Sequence, residues 1–351
     1  MKQLIGKIIL LALLTVLPLV AYNVIFDPYS VLRKNYNSLF ICPHERFVKT
    51  DYILSNPTKY DSFLFGSSRV SQVPMRVLNA ATGGNFYNMT FVSGVVSEYL
   101  KTLKIFLKNN VTVKHVVIGL DYFSFRMLPL SNMVRNEGYP ETLQDKIKFY
   151  ITFLFLEPDP GMLKEIRFDG KDAAYDLTGT GEYDFLKKEE FLRLHPELHD
   201  AKFNIPIATV CNARIDVTLA ELREIIGICR RNGITLAIFI NPEHLNMYLC
   251  EDVAFLSEVR RRLADLSDFW DFSGPNSVTV KNINYIDIIH YRKHVGAWVI
   301  GRMYRNANGV PDDFGTLVSK RNAAGYCTTA EREYRIYRKR NNPTCLPCQK
   351  F

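Results

Sequence analysis

Val113–Leu120 reads VKHVVIGL and is followed at once by Asp121. Val116, Val117, Ile118 and Leu120 put apolar side chains on both faces of one short run, as a strand buried on both sides requires. Ile234–Ile240 (ITLAIFI) has the same character and ends at Asn241-Pro242. Lys59–Gly66 (KYDSFLFG), Asn85–Phe91 (NFYNMTF) and Phe269–Phe272 are further strand candidates. Between them lie helical patterns at Ser97–Lys108, at Thr218–Arg231 (which stops at Asn232-Gly233) and at Asp252–Leu266, with a short helix expected over Arg69–Val77. This alternation predicts the α/β class, as a three-layer sandwich with a central parallel sheet. Ligands of such sheets bind beyond the carboxyl ends of the strands. The residues to weigh are therefore Ser67-Ser68-Arg69, Asn88–Gly94, Asp121, Asn241–His244 and Ser273–Asn276.

The alternation lapses at about 123–210. This insertion holds one helix candidate, Leu143–Leu156, and otherwise proline, glycine, charge and aromatics. A substrate-shaping cap and a decoration without contact to substrate both fit such a stretch.

The chain has 351 residues, 47% hydrophobic and 23% charged, which suffices for a packed core and excludes a disordered or collagen-like protein. A mean hydropathy of −0.06 excludes a polytopic membrane protein. The net charge of +8 is local: Lys320–Phe351 carries eight Lys and Arg against two Glu, so only two net charges remain elsewhere. A nearly neutral body with a basic C-terminal tail, taken as 307–351, is not the pattern of a nucleic-acid binder. The tail's Ala330–Arg340 segment is expected to be solvated or to touch anionic lipid or polymer. The seven scattered cysteines do not read as a disulfide framework. Cys345-x-x-Cys348 is the one tight pair, and without a second pair it suggests tail thiols or one short disulfide rather than zinc. No metal or cofactor is expected.

Ile8–Phe26 (IILLALLTVLPLVAYNVIF) follows Lys2 and Lys7. A helix over this run, at ~1.5 Å per residue, nearly crosses a hydrocarbon core of ~30 Å. Residues 1–27 are therefore expected to form a cytoplasmic stub and transmembrane signal-anchor, with the 28–306 body periplasmic or extracytoplasmic. A signal peptide cleaved near Ala21 is the alternative, and it exports the body equally. Asn88-Met-Thr90 and Asn110-Val-Thr112 fit the glycan acceptor tripeptide.

Two separated peptides carry reactive chemistry. In Phe65-Gly66-Ser67-Ser68-Arg69 a strand runs through glycine into two serines and a helix start. Serine there caps a helix or, on a tight turn beside helix-terminal amides, acts as a nucleophile. In Tyr285-Ile286-Asp287-Ile288-Ile289-His290-Tyr291, Asp and His three apart would meet on one side of a helical turn. The carboxylate then fixes the imidazole tautomer that removes a serine proton, or the pair is a local surface hydrogen bond. Among other histidines, His195 and His199 have helical metal-ligand spacing but Pro196 between them. His294 competes with His290 as base, and His244 could line the cleft.

Together these residues resemble the SGNH (GDSL-like) hydrolases, specifically the membrane-anchored cell-envelope branch related to D-alanyl lipoteichoic acid and alginate O-acetylation proteins. The resemblance runs from Asp27-Pro28-Tyr29 through FGSSR, FYNMTFVSG and VVIGLD to FWDFSGPNSVT and DIIHY. It implies Ser68 as nucleophile, with Ser67 in place of the usual Asp, His290 as general base and Asp287 as its orienting acid. It also implies an oxyanion hole from the Ser68 amide, a second-block amide at Gly94 or near Asn88, and a third-block Asn. This chain has Asp121 at that third position, and an ionised Asp accepts hydrogen bonds only. Either Asp121 is protonated or holds another group, or Arg69 or Asn88 supplies the donor.

The resemblance further implies an exported serine acyltransferase or esterase acting on cell-envelope polysaccharide, with O-acetyl transfer through an acyl-serine. A membrane-bound O-acyltransferase would be the acyl-supplying partner. A polysaccharide O-acetyl esterase and a catalytically silent assembly or polysaccharide-binding protein are the alternatives.

Overall fold

The structure is a computed structural model that describes residues 1–34, 43–127, 137–158, 174–210, 214–305 and 309–348. In chain order the elements are α1 (Lys2–Phe26), α2 (Glu45–Ser55), β1 (Ser62–Ser67), α3 (Met75–Thr82), β2 (Phe86–Phe91), α4 (Val96–Lys108) and β3 (His115–Leu120). There follow α5 (Leu143–Leu154), β4 (Ala174–Tyr175), β5 (Tyr183–Asp184), α6 (Leu186–Leu194), α7 (Ile215–Arg231) and β6 (Thr235–Ile240). The chain continues through α8 (Val253–Ala264), β7 (Phe269–Asp271), α9 (Lys293–Tyr304), β8 (Thr316–Val318) and α10 (Ala323–Asn341).

The main sheet has the order β2-β1-β3-β6-β7-β8, and every pairing is parallel except the antiparallel β7–β8 edge. Alternate residues of the central strands feed opposite cores, as the pleat dictates. Phe63, Phe65, Val116 and Ile118 pack with α4, α7 and α8 on one face. Leu64, Val117 and Phe239 pack with α3 and α9 on the other. The expected α/β class and mostly parallel central sheet are thus present, with helices on both faces.

Helix boundaries follow local chemistry. Asp252 caps α8 by accepting from the Phe255 amide at 2.8 Å. Past α7, Gly233 takes φ +65°, the left-handed turn expected at Asn232-Gly233. The expected Arg69–Val77 helix is instead a short 3₁₀ turn, Val70–Gln72, separated from α3 by Pro74. Proline forces Val73 into an extended conformation (ψ 118°), so the first turn cannot run on.

Two expectations about the ends change. The described part of the expected 307–351 tail, residues 309–348, is not simply a tail: β8 completes the sheet and α10 packs on α8. The Tyr334 hydroxyl donates to the carbonyls of Leu249 and Glu251. Arg332, Arg335, Lys339 and Arg340 face solvent, so the positive charge marked an amphipathic helix. Cys345 is joined to Cys250, 95 residues away, rather than to Cys348, which is also disulfide-bonded. Cys42 and Cys211 lie outside the described residues.

At the other end, among the described residues, no helix is long and apolar enough to cross a membrane. The structure therefore does not supply the expected transmembrane span, although α1 is a helix of 25 residues. The run Ile8–Phe26 includes positions 8, 9, 12 and 13, whose side chains lie outside the described residues.

Candidate active site

Ser68 sits in the turn directly after β1, half-buried, at the carboxyl edge of the sheet. Its Oγ lies 3.1 Å from Nε2 of His290. The other ring nitrogen, Nδ1, lies 2.9 and 3.1 Å from the two Asp287 oxygens. An ionised carboxylate only accepts, so Nδ1 carries the hydrogen and Nε2 is left to accept from the serine hydroxyl. Burial opposes the charge on Asp287. The His290 hydrogen bond and charge, the Lys188 charge and the Ile289 amide outweigh it and hold the carboxyl well below its usual range.

Asp287 and His290 do not meet on a helical turn, as their spacing suggested. They belong to a tight loop in which the Ile286 amide donates to the His290 carbonyl and Tyr285 pairs with Tyr291. Asp287 Oδ1 accepts from the Ile289 and His290 amides at 3.0 and 2.9 Å, which fixes the carboxylate before it meets the ring. Tyr285 and Tyr291 are fully buried anchors. The first donates to the Pro242 carbonyl and the second to Asn241 Oδ1.

Ser67 and Asp121, where the sequence departs from the pattern it resembles, are partners. Ser67 donates to Asp121 Oδ2 at 2.6 Å, and Asn241 Nδ2 donates to Asp121 Oδ1 at 2.9 Å. Through Tyr291, this chain ties the ends of β1, β3 and β6 to the histidine loop. Asp121 is 1% exposed and therefore serves the framework rather than an oxyanion. Burial raises its pKa, against the Arg69 charge and the Ser67 and Asn241 hydrogen bonds.

Arg69 and Asn88 are not available as the missing donor. Arg69 pairs with Glu243, lies 3.8 Å from Asp121 and stacks 5.0 Å over Phe123. Asn88 is fully buried: its amide group donates to the Ser71 carbonyl, and its oxygen accepts from the Thr90 amide and hydroxyl. The same burial removes Asn88 as a glycan acceptor. Gly94 donates its N–H to Phe91, and an added Cβ there would meet the Gly66 carbonyl at 2.9 Å, so this glycine permits close strand-end packing. Among the described residues, the backbone N–H groups of Ser68 and Ser93 donate to nothing. Ser93, within the expected Asn88–Gly94 stretch, is held at φ 52° just past β2.

The insertion reaches the site. The Phe185 ring lies 4.9 Å from that of His290, and Lys188 Nζ lies 3.2 Å from Asp287 Oδ2. Glu189 grips Arg292, Asp184 pairs with Lys293, and the Tyr183 carbonyl accepts from Gln72. The insertion thus covers the Asp287–His290 loop. No sequence signal marks Lys188, because its partner lies 99 residues away.

The remaining histidines stand apart. His294 bonds Asn284, and His199 bonds the Tyr285 carbonyl. His195 is exposed beside Glu197. His244 caps a one-turn helix, and burial lowers its pKa to about 4 despite the Asn282 hydrogen bond. Among the described residues, no group of three or more His, Cys, Asp or Glu is placed to hold a metal. A polar cleft of about 340 Å³, lined by Arg260, Asp271, Tyr326 and Glu333 among others, includes neither Ser68 nor His290.

No family model matches the chain. A search of curated proteins returns no match either.

Proposed function

We propose that this chain is a serine acyltransferase or esterase of the SGNH type, acting on cell-envelope polysaccharide. The observation that carries the proposal is the hydrogen-bonded series Ser68–His290–Asp287 at the carboxyl edge of a parallel sheet. Ser68 Oγ bonds to the carbonyl carbon of an acyl donor while its proton passes to His290 Nε2. The tetrahedral oxyanion collapses and breaks the bond to the leaving group, which takes the proton from His290. A sugar hydroxyl then attacks the acyl-serine, giving its proton to His290, and Ser68 Oγ leaves and recovers it. With water as acceptor the same cycle is hydrolysis. The Ser68 amide, which donates to nothing among the described residues, is the donor best suited to the developing oxyanion.

Export is supported by the Cys250–Cys345 disulfide, since such bonds persist in oxidising compartments. A membrane anchor through α1 is supported by its exposed apolar side chains, including Leu10, Leu11, Leu14 and Leu17, which find no partner surface in the domain. Lys2 and Lys7 favour a cytoplasmic N-terminus and an extracytoplasmic body. An acyl supplier embedded in the membrane is the matching partner.

Purified protein tested on a chromogenic acetyl ester should turn it over, and Ser68→Ala and His290→Ala should each abolish turnover. Equal rates in all three proteins would instead mark a silent scaffold. Mass spectrometry of an added oligosaccharide then separates acetyl transfer from hydrolysis.

A further inference from the structure

Helix α5 has two apolar faces. Phe149 and Phe153 are buried against Phe47, Val48 and Leu177. On the opposite side Leu143, Ile147, Ile151 and Phe155 form an i, i+4 stripe that is 48–74% exposed. A stripe of this length has no reason to face water. Lys146 and Lys148 flank it.

The stripe is positioned by α1. Asn23, only 2% exposed, donates through Nδ2 to the carbonyls of Leu154 and Leu156, at 3.0 and 2.8 Å. These are orphan carbonyls at the end of α5, and satisfying them inside the protein matters most where water is scarce. Asn23 lies three residues before the end of α1 at Phe26, about 4.5 Å along a helix axis. Interfacial helices bury their apolar face by ~5–10 Å. The end of α5 therefore sits at the depth where such a face belongs, provided α1 is embedded.

We propose that α5 is an interfacial helix whose Leu143–Ile147–Ile151–Phe155 stripe enters the acyl–headgroup boundary of a lipid bilayer. With α1 it makes a two-point attachment that fixes the orientation of the domain over the membrane, as one helix alone cannot. Lys146 and Lys148 are then placed to meet lipid phosphates. This rests on the reading of α1 as the membrane anchor.

The test uses the full chain in vesicles of phosphatidylethanolamine and phosphatidylglycerol with brominated acyl chains, which quench nearby tryptophan. Ile151→Trp probes the stripe, Leu14→Trp probes α1, and Val217→Trp on α7, at a half-exposed site, is the aqueous control. Trp270 and Trp298 set the background. The added emission of Ile151→Trp should blue-shift and be quenched, as for an interfacial side chain, with Leu14→Trp also quenched and Val217→Trp unaffected. Quenching of Leu14→Trp alone, with Ile151→Trp open to acrylamide, overturns the α5 proposal and leaves the anchor standing. Failure of both to quench removes the anchor and the proposal together. An Ile151→Trp shielded from bromine and acrylamide alike means that protein covers the stripe, which also overturns it.

Discussion

Ser68 Oγ and His290 Nε2 stand 3.1 Å apart although 222 residues separate them. Neither residue's own neighbourhood creates that approach. Ser67, Asp121, Asn241 and Tyr291 do so, through a buried series that joins three strand ends to the histidine loop. A fully satisfied buried network of this kind fixes geometry more than it adds stability.

If Ser68 is activated in this way, a fluorophosphonate should attach to it covalently. Intact-mass measurement is expected to show one adduct on the native chain and none on Ser68→Ala. His290→Ala should slow labelling by roughly 10³-fold or more, the usual consequence of losing the base. Labelling at equal rates in native protein and His290→Ala would break the proposed pairing.

Asp287→Asn should lower ester turnover by about 10³–10⁴-fold, because an amide can present the wrong tautomer to Nδ1. Lys188→Ala is a milder change: the Lys188 side chain is 49% exposed, and an exposed ion pair contributes ~0–1 kcal/mol. Its effect on kcat/KM should stay within about five-fold and shrink with added salt. Steady-state kinetics at two ionic strengths separates the two residues.

Gly66→Ala should destabilise the fold by about 1–3 kcal/mol, as overpacked core sites do. A Cβ at Gly66 would collide with Val70, and the same side chain excludes a Cβ at Gly119 on the adjacent strand, at 2.5 Å. Val70 therefore seats the Ser68 turn, and Gly66→Ala should also reduce turnover in the folded fraction. Urea titration beside an ester assay measures both.

Replacing Cys250 and Cys345 together by serine should lower stability by about 2–5 kcal/mol, since the bridge closes a loop of 95 residues. Differential scanning calorimetry with and without reductant should move native protein toward the variant. The variant itself should no longer respond at this bridge.

Burial, only partly offset by Arg69, together with Glu251 and Asp121 pushes the Glu243 carboxyl from 4.5 up to about 7. The folded state therefore binds more protons than the unfolded chain across that interval. The resulting stability is complete below about 4.5 and is lost as pH rises through about 7. Glu243→Gln keeps an acceptor for Arg69 but cannot ionise, so it should flatten that decline, by ~3 kcal/mol at most. Melting temperature against pH for both proteins gives the comparison.

The strands were legible because VKHVVIGL and ITLAIFI are apolar on both faces, a pattern that needs no partner to be recognised. Ser68 was legible on its strand-end turn, and Asp287 and His290 as a locally paired acid and imidazole. Asp121 was not: its sequence position suggested an oxyanion donor, and only its contacts with Ser67 and Asn241 show a framework role. Residues 320–351 misled for a similar reason. Charge dominates their composition, while α10 is attached through Cys327 and Tyr326 meeting α8 and through Tyr334 meeting the chain at Leu249 and Glu251.

The sequence by itself determined the α/β class, the strand-end position of Ser68 and the local Asp287–His290 pairing, because each follows from periodicity or from neighbours within a few residues. Tertiary structure decided that Ser68 faces His290, that Lys188 and Phe185 cover the pair, and that Cys345 finds Cys250. Those relationships join residues tens to hundreds of positions apart, and no local propensity encodes which distant groups the folded chain will bring within hydrogen-bond reach.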